Sequence, residues 1–273
     1  MNNTYQIYLI SDSTGETLER IFMALKTQFI NFKYNVQQFS FTRTENQIKK
    51  IVDKAKKNEN SIILYTIVDN KLAKILKEET EKQKIPCFGV LGDLITNFSK
   101  LLKQTATQEP SGQHVLNDEY YERVEAIQFT MNHDDGNMLE DIEKSDIILL
   151  GVSRTSKTPT SIYLANRGYR TSNIPLVNEQ SIPDKIKKPS KICIVGLTTE
   201  PQRLFDIRRN RLSSIKEQEK TDYINLMKIT EEVEKAKATF RKFQWPVIDV
   251  TRKSVEETAA SIIKIHEINK KNV

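Results

Sequence analysis

Short apolar runs alternate with segments of helical periodicity along most of this chain. Residues 5–10 read as a strand, and apolar side chains then recur every three or four residues over 18–29. Further strand-like runs follow at 36–41, 62–68 and 86–91, each with a helical segment after it. Four such units in succession predict a mostly parallel sheet with helices on its faces.

The alternation stops at residues 104–118, which have no apolar period and contain a proline and a glycine. Such a stretch is typical of a boundary between domains. After one more helix, a second strand–helix series begins with the apolar run 147–150. Its later strands are predicted at 174–177, 192–197 and 246–250. The sequence therefore predicts two mostly parallel α/β domains, 1–105 and 106–273, the second with a kinase-like core built around a phosphate-binding loop.

The strand at 147–150 leads into a glycine and then into a polar loop that ends in lysine and threonine. Strand, loop, Lys-Thr and helix is the order of a phosphate-binding loop, whose pattern is G-x-x-x-x-G-K-[ST]. In such a loop Lys157 neutralises phosphate charge and the hydroxyl of Thr158 binds Mg²⁺. The predicted nucleotide site consists of Gly151, Val152, Ser153, Arg154, Thr155, Ser156, Lys157 and Thr158.

One position departs from this pattern, because Ser156 stands where the second glycine belongs. A serine that takes a positive φ there costs roughly 1 kcal/mol. The alternative interpretation is a strand followed by a Ser/Thr-rich turn and a capped helix. We expect the helix to begin near Pro159, which a first turn tolerates, and to end at Gly168. Lys157 is expected to be an exposed loop residue.

A second polar junction between strand and helix lies near the start of the chain. The carboxyl end of a strand is where open α/β sheets bind ligands. The candidate residues for phosphate or a protein partner are Ser11, Asp12, Ser13, Thr14 and Gly15. Helix capping is the simpler interpretation, since Ser13 and Glu16 match a capping box. Both interpretations stay open.

His133, Asp134 and Asp135 precede a glycine at the end of a predicted helix. An aspartate can accept a hydroxyl proton or help to hold Mg²⁺, as phosphoryl transfer requires. The alternative is a helix end closed by an Asp-Gly turn. From spacing alone the turn is the better interpretation, whereas an aspartate at this end opposes the helix macrodipole, and that mismatch favours a function a little. These three residues and Lys157 are the candidate catalytic residues.

Arg208, Arg209 and Arg211 follow another junction between strand and helix. Arginines there can bind phosphate through paired hydrogen bonds. A solvated basic helix face explains them equally well.

Composition narrows the class of protein. Net charge is +6, but the lysines fall among glutamates on helix faces, and no aromatic residues interleave with them, so we predict no nucleic-acid partner. No apolar run approaches the ~18–20 residues that span a bilayer. The N-terminus shows no secretion leader, and both cysteines lie in apolar strand-like segments. These features predict a cytoplasmic protein that does not cross a membrane.

Several segments together resemble the bacterial pyruvate, phosphate dikinase regulatory protein family. The resemblance covers essentially the full length of the chain, and the segments that carry it lie at 11–17, 124–127, 133–136, 151–161, 208–212 and 245–250. A sister branch of the family, which regulates phosphoenolpyruvate synthase, has Cys-Gly before the loop lysine. The Thr-Ser pair at 155–156 and the segment 163–169 are similar to the dikinase branch instead. Ser156 is therefore in keeping with the family.

The resemblance implies a bifunctional serine/threonine kinase and phosphorylase. Such proteins phosphorylate a threonine of the dikinase with ADP as donor, which switches the dikinase off. They remove the phosphate with inorganic phosphate as acceptor and release pyrophosphate. For this chain the resemblance implies ADP and Mg²⁺ at residues 151–158, Asp134 or Asp135 as base, and inorganic phosphate or the phosphorylated target near the arginines. It is also compatible with a homodimer.

Three other functions stay open at this point. The first is the same chemistry on phosphoenolpyruvate synthase. The second is a small-molecule kinase with the same loop, which would phosphorylate a metabolite without a protein acceptor. The third is a non-catalytic nucleotide-sensing module, which would bind ADP and transfer no phosphate.

Overall fold

The computed structural model describes residues 4–112, 116–177, 179–187, 192–215 and 223–271. The chain divides into two compact units, which we call unit 1 (Met1–Val115) and unit 2 (Leu116–Val273). The boundary between the two units falls inside the segment 104–118. It lies after residue 105, which is the predicted end of the first domain. None of the described helices is long and apolar enough to cross a membrane.

Unit 1 contains a four-stranded parallel sheet with the order β2-β1-β3-β4. The strands are β1 (Tyr5–Ser11), β2 (Tyr34–Phe39), β3 (Ser61–Thr66) and β4 (Cys87–Gly89). The helices are α1 (Glu16–Lys26), α2 (Glu45–Ala55), α3 (Asn70–Lys82) and α4 (Gly92–Leu102).

Alternate residues of the unit 1 strands are buried on opposite faces of the sheet. Tyr8 and Ile10 pack with α2 and α3, whereas Ile7 and Leu9 pack with α1. The chain passes from β1 to β2 on one side and then crosses to β3 on the other. The winding direction therefore reverses between β1 and β3, which in open α/β sheets opens a crevice beyond the carboxyl ends of these strands.

Unit 2 contains a second four-stranded parallel sheet, with the order β6-β5-β7-β8. The strands are β5 (Ile147–Gly151), β6 (Thr171–Pro175), β7 (Cys193–Thr198) and β8 (Val247–Asp249). The helices are α5 (Asp118–Asn132), α6 (Lys157–Ala165), α7 (Asp184–Lys187), α8 (Pro201–Ile215), α9 (Leu226–Lys242) and α10 (Val255–Lys271). Two all-parallel sheets with helices confirm the predicted α/β class.

The unit 2 sheet is covered on both faces. Ile148 and Leu150 of β5 pack with α8 and α9 on one face, while Ile147 and Leu149 pack with α6 and α10 on the other. Burial of every residue of β5 explains why that strand reads as one continuous apolar run. Here the winding reverses between β5 and β7.

Three local expectations are wrong. Strand β6 begins at Thr171 rather than 174, because its first three residues are polar yet buried. Helix α6 begins at Lys157, directly after the left-handed Ser156, and ends at Ala165 rather than Gly168. The capping box of Ser13 and Glu16 does not form, since the N-cap of α1 is Gly15, at φ 88°, with no capping side chain.

Candidate functional site

A cavity of about 430 Å³ opens beyond the carboxyl ends of β5 and β6, beside the start of α6. Its wall consists of Asp135, Ser153, Arg154, Ser156, Lys157, Thr158, Pro159, Pro175 and Ile207. This is the edge of the sheet at which α/β proteins bind ligands. The predicted phosphate-binding loop forms most of the wall.

The loop is shaped by close backbone packing at its start and by left-handed residues near its end. A Cβ atom on Gly151 would lie 2.7 Å from the carbonyl oxygen of Leu197, so only glycine fits there. The Thr155 hydroxyl donates a 3.0 Å hydrogen bond to the carbonyl of Val152. Arg154 and Ser156 have φ of 74° and 59°. Ser156 thus adopts the positive φ that its place in the pattern requires.

Lys157 is buried, with 5% of its surface exposed, so the expectation of an exposed loop lysine is wrong. Its Nζ donates hydrogen bonds of 3.0 and 3.1 Å to the carbonyls of Gly151 and Val152. Burial lowers the pKa of Lys157 to about 8, although the charges of Asp135 and Asp134 act in the opposite direction. The ammonium therefore lies under the loop, next to the cavity.

Asp134 and Thr158 meet at the start of α6. The Thr158 hydroxyl donates a 3.0 Å hydrogen bond to Oδ1 of Asp134, and the Asn173 side-chain amide donates to the same oxygen. The Asn173 carbonyl oxygen accepts a 3.2 Å hydrogen bond from the backbone N–H of Asp135. Asn173 therefore fixes both aspartates, yet it was absent from our candidates. Hydropathy gives no signal for Asn173, because it lies in the middle of β6, a strand whose first half is polar.

Asp135 differs from Asp134 in position. It lines the cavity and has a left-handed φ of 52°. Its charge acts on Lys157 across this space. A carboxylate on the cavity wall can accept a proton from a bound hydroxyl group.

His133 holds the turn that carries the two aspartates. It is buried, its ring is stacked on Phe129 at 3.8 Å, and its backbone carbonyl accepts a hydrogen bond from the N–H of Asn173. Its Nδ1 lies 2.8 Å from the carbonyl of Phe129, and because a carbonyl only accepts, Nδ1 carries the proton. His133 is not part of the cavity wall, so the geometry points to positioning rather than chemistry.

The three candidate arginines lie on α8 and do not line the cavity. Arg208 is only 1% exposed; its Nη2 donates to Oε2 of Glu232 at 2.7 Å and to the carbonyl of Ser153 at 3.4 Å. It therefore ties α8 and α9 to the loop. Arg209 and Arg211 are exposed, and the Arg209 guanidinium lies 3.9 Å from Asp206.

The candidates near the N-terminus belong to unit 1. Ser11, Asp12, Ser13 and Gly15 line a separate cavity of about 320 Å³, and the carbonyl of Thr14 accepts a hydrogen bond from Ser40. Asp12 is buried, and burial raises the pKa of its carboxyl group. Oδ2 of Asp12 accepts a 2.7 Å hydrogen bond from the N–H of Val68.

A magnesium ion fits the donor set of unit 2. Mg²⁺ is usually held by one or two carboxylates together with substrate phosphates, and Asp134 and Thr158 offer neighbouring oxygens. Among the residues that the structure describes, no group of three or more His, Cys, Asp or Glu side chains could hold a metal. The donors present therefore suit an ion that arrives with a nucleotide.

The parallel sheet, the loop over Lys157 and the paired Asp134 and Thr158 form the arrangement that is typical of the phosphate-binding loop of a kinase. The kinase/pyrophosphorylase family profile matches residues 7–263, and the chain belongs to this family. It is therefore an enzyme of that bifunctional type.

Two relatives illustrate how closely the sequence follows the family. A protein of Pelagibacter ubique is 70% identical over the full length of both chains. A protein of Erythrobacter litoralis is 44% identical over 95% of this chain and 93% of its own. Both are provisionally named pyruvate, phosphate dikinase regulatory proteins.

Proposed function

We propose that this enzyme phosphorylates a threonine of pyruvate, phosphate dikinase with ADP as donor, and removes that phosphate with inorganic phosphate as acceptor. The observation that carries the proposal is the cavity of unit 2, where a phosphate-binding loop, Lys157, Asp134 with Thr158, and Asp135 converge. The names of the full-length relatives support the choice of target.

In the forward direction the loop N–H groups and Lys157 hold the phosphates of ADP. Asp134 and Thr158 would hold Mg²⁺, and the ion would supply positive charge to neutralise the phosphates. Asp135 accepts the proton of the target threonine hydroxyl as the Oγ–P bond forms and the bond between the β-phosphorus and the bridging oxygen breaks, releasing AMP. Phosphoryl transfer depends mainly on positioning and electrostatics, so this small set of groups suffices.

In the reverse direction an oxygen of inorganic phosphate attacks the phosphorus of the phosphothreonine. The bond between phosphorus and the threonine oxygen breaks, pyrophosphate forms, and the threonine oxygen takes the proton that the attacking hydrogen phosphate carried. Because inorganic phosphate is already anionic near neutral pH, this direction has no need of a base to activate the nucleophile.

The test is to mix the protein with the dikinase, ADP and phosphoenolpyruvate, and to map phosphothreonine by mass spectrometry. We expect one modified threonine on the dikinase and AMP as coproduct; after addition of phosphate, we expect its loss with release of pyrophosphate. Phosphoenolpyruvate synthase and a protein-free metabolite mixture serve as alternative acceptors. If only the synthase or only a metabolite is phosphorylated, the proposed target is wrong. If ADP binds and no phosphate is transferred, the protein is a nucleotide-sensing module.

Lys157→Met tests whether the loop at residues 151–158 is responsible for the two activities. The mutant fills the buried position without a charge, so we expect loss of both activities with the fold retained by circular dichroism. Lys185→Met, at an exposed lysine of the same unit, is the matched control and should keep full activity. Full dikinase phosphorylation by Lys157→Met would contradict the assignment of the loop.

A further inference from the structure

Lys157 and Arg154 supply the positive charge on the described wall of the unit 2 cavity. Lys157 lies under the loop, and its Nζ already donates hydrogen bonds to the carbonyls of Gly151 and Val152. Arg154 is exposed and donates through Nε alone, so among the residues that the structure describes its two terminal nitrogens have no hydrogen-bond partner. The charge that a ligand meets in the open part of the cavity therefore comes chiefly from Arg154.

The backbone of Arg154 is strained. Its φ of 74° lies in the left-handed region, which residues with a Cβ atom rarely adopt. Strained residues persist where their surroundings hold them in place, and they cluster at active sites and ligand-binding sites. The strain therefore indicates that the position of this side chain has a function.

Tyr223 is the residue that fixes the Arg154 side chain, although 69 positions separate the two in the sequence. The Nε of Arg154 donates a 3.3 Å hydrogen bond to the Tyr223 hydroxyl oxygen, which leaves both terminal nitrogens for a ligand. Burial alone would raise the pKa of this hydroxyl group, but the hydrogen bond from Arg154 and the charges of Arg154 and Arg208 lower it below its usual value. The surroundings of the phenol oxygen thus favour its role as an acceptor from a cation.

Tyr223 is itself held in place by Arg208. The Arg208 guanidinium lies 4.6 Å from the centre of the Tyr223 ring, and its Nη1 donates a 3.3 Å hydrogen bond to the Tyr223 carbonyl. Arg208 is 1% exposed and pairs with Glu232 at 2.7 Å. A chain of contacts therefore runs from a buried arginine, through the tyrosine ring, to the arginine on the cavity wall.

The chemistry of Arg154 suits the phosphate group that is transferred. Guanidinium groups bind phosphate through paired hydrogen bonds, and arginines in phosphoryl-transfer enzymes neutralise the charge of the moving group. In the reaction proposed above, that group is the β-phosphate of ADP. It is the terminal phosphate and has to face the acceptor on the open side of the cavity, where Arg154 is exposed. Arg154 is therefore placed to contact the β-phosphate rather than the α-phosphate.

We propose that Arg154 binds the β-phosphate of ADP and that Tyr223 is a positioning residue, which acts on the reaction only through Arg154. Tyr223 itself contacts neither the nucleotide nor the acceptor threonine. This proposal rests on the function proposed above, because it takes ADP as the phosphate donor.

The experiment measures nucleotide affinity in the full-length protein without the dikinase. ADP is titrated by calorimetry, and AMP, which lacks the β-phosphate, is measured by displacement of bound ADP. Tyr223→Phe keeps the ring over Arg208 and removes only the hydroxyl group. We expect Arg154→Met to weaken ADP binding ~10–100-fold and Tyr223→Phe to weaken it ~3–10-fold, while the affinity of both mutants for AMP stays within ~2-fold of the unmodified protein.

A second comparison separates positioning from a general structural role. In the Arg154→Met background, Tyr223→Phe should cause no further loss of ADP affinity, since a positioning residue has no influence once its target is gone. Urea unfolding should give the same free energy of unfolding for Tyr223→Phe and the unmodified protein.

Tyr163→Phe is the matched control, because the Tyr163 hydroxyl accepts the same kind of hydrogen bond, at 2.9 Å, from Arg167. The Arg167 guanidinium also lies over the Tyr163 ring, and neither residue belongs to the described cavity wall. Tyr163→Phe should therefore leave the affinity for ADP unchanged.

Three results would overturn the proposal. These are unchanged ADP affinity in Tyr223→Phe, an undiminished effect of Tyr223→Phe in the Arg154→Met background, and an equal loss of AMP and ADP affinity in the single mutants. If the expected affinities are found but no phosphate reaches the dikinase, only the assigned reaction is wrong. If the unmodified protein does not bind ADP, both the reaction and this proposal are wrong.

Discussion

We predict that Lys157 makes ADP binding sensitive to pH. Its pKa is lowered to about 8 by burial, so above that value the unliganded protein carries largely neutral lysine. Bound phosphates favour the ammonium form and raise this pKa again. At about pH 9 we therefore expect uptake of up to ~1 proton per ADP bound. Calorimetry in buffers of different ionisation enthalpy measures that number, and Lys157→Met should show no uptake. Proton release by the unmodified protein would contradict the account.

Asp134 and Asp135 are expected to respond differently to amide substitution. Asp135 lines the cavity, so loss of a base there should lower the kinase rate ~10²–10⁴-fold and the phosphorolysis rate much less. Asp134 accepts hydrogen bonds from Thr158 and Asn173, so Asp134→Asn should lower both rates. The kinase and phosphorolysis rates of Asp134→Asn and Asp135→Asn, measured separately, distinguish the two roles. If neither direction changes in either mutant, residues 133–136 are only a turn.

The strand–loop–helix element of unit 2 stores strain at Ser156. A serine at φ 59° costs about 1 kcal/mol relative to glycine, so Ser156→Gly should raise the free energy of unfolding by about that amount and keep ADP binding. Ser161→Gly is the matched control inside α6, where glycine should destabilise by ~0.5–1 kcal/mol. Urea unfolding and calorimetry measure both effects. A large loss of ADP affinity in Ser156→Gly would show that the serine side chain contacts the ligand.

Helices α8 and α9 are joined to the loop through Arg208. Arg208 bonds Tyr223 through Nη1 and bonds Ser153 and Glu232 through Nη2, and the single nitrogen of lysine cannot occupy both positions. Arg208→Lys should therefore lower the free energy of unfolding by ~1–3 kcal/mol. Arg209→Lys, on the exposed side of α8, should change it by less than ~0.5 kcal/mol. If urea unfolding gives the same free energy of unfolding for both mutants, Arg208 does not have this structural role.

Strands β5 and β6 show how much of the fold can be predicted from sequence patterns. Every residue of β5 is buried and apolar or glycine, so its position was predicted almost to the residue. The first half of β6 is polar but buried against hydrogen-bond partners, and this hides both the strand and Asn173 from hydropathy. The order of strand, loop and helix around residues 151–158 could be predicted from residue types alone. The burial of Lys157 and the pairing of Arg208 with Glu232 could not, because they depend on packing between distant segments.

At the scale of the whole chain, the two units have the same strand order, counted from the first strand of each. The sequence shows no internal repeat that would predict this. Strand order depends on crossover connections, and alternating strand and helix patterns predict a parallel sheet without fixing that order. The class of fold was therefore predictable, whereas the repeated topology needed the structure.

The proposed ADP site belongs to unit 2, so we expect the fragment 116–273 to fold and to bind ADP by itself. Both faces of its sheet are covered by its own helices, and among the residues that the structure describes the cavity wall comes from unit 2. We expect its ADP dissociation constant to lie within ~3-fold of the full-length value, a difference of under ~0.7 kcal/mol. The fragment 1–115 is the control and should fold without binding ADP. If the fragment 116–273 is folded but has no measurable affinity for ADP, the nucleotide site needs residues from unit 1. Circular dichroism shows whether the fragment is folded, and calorimetry measures its affinity for ADP.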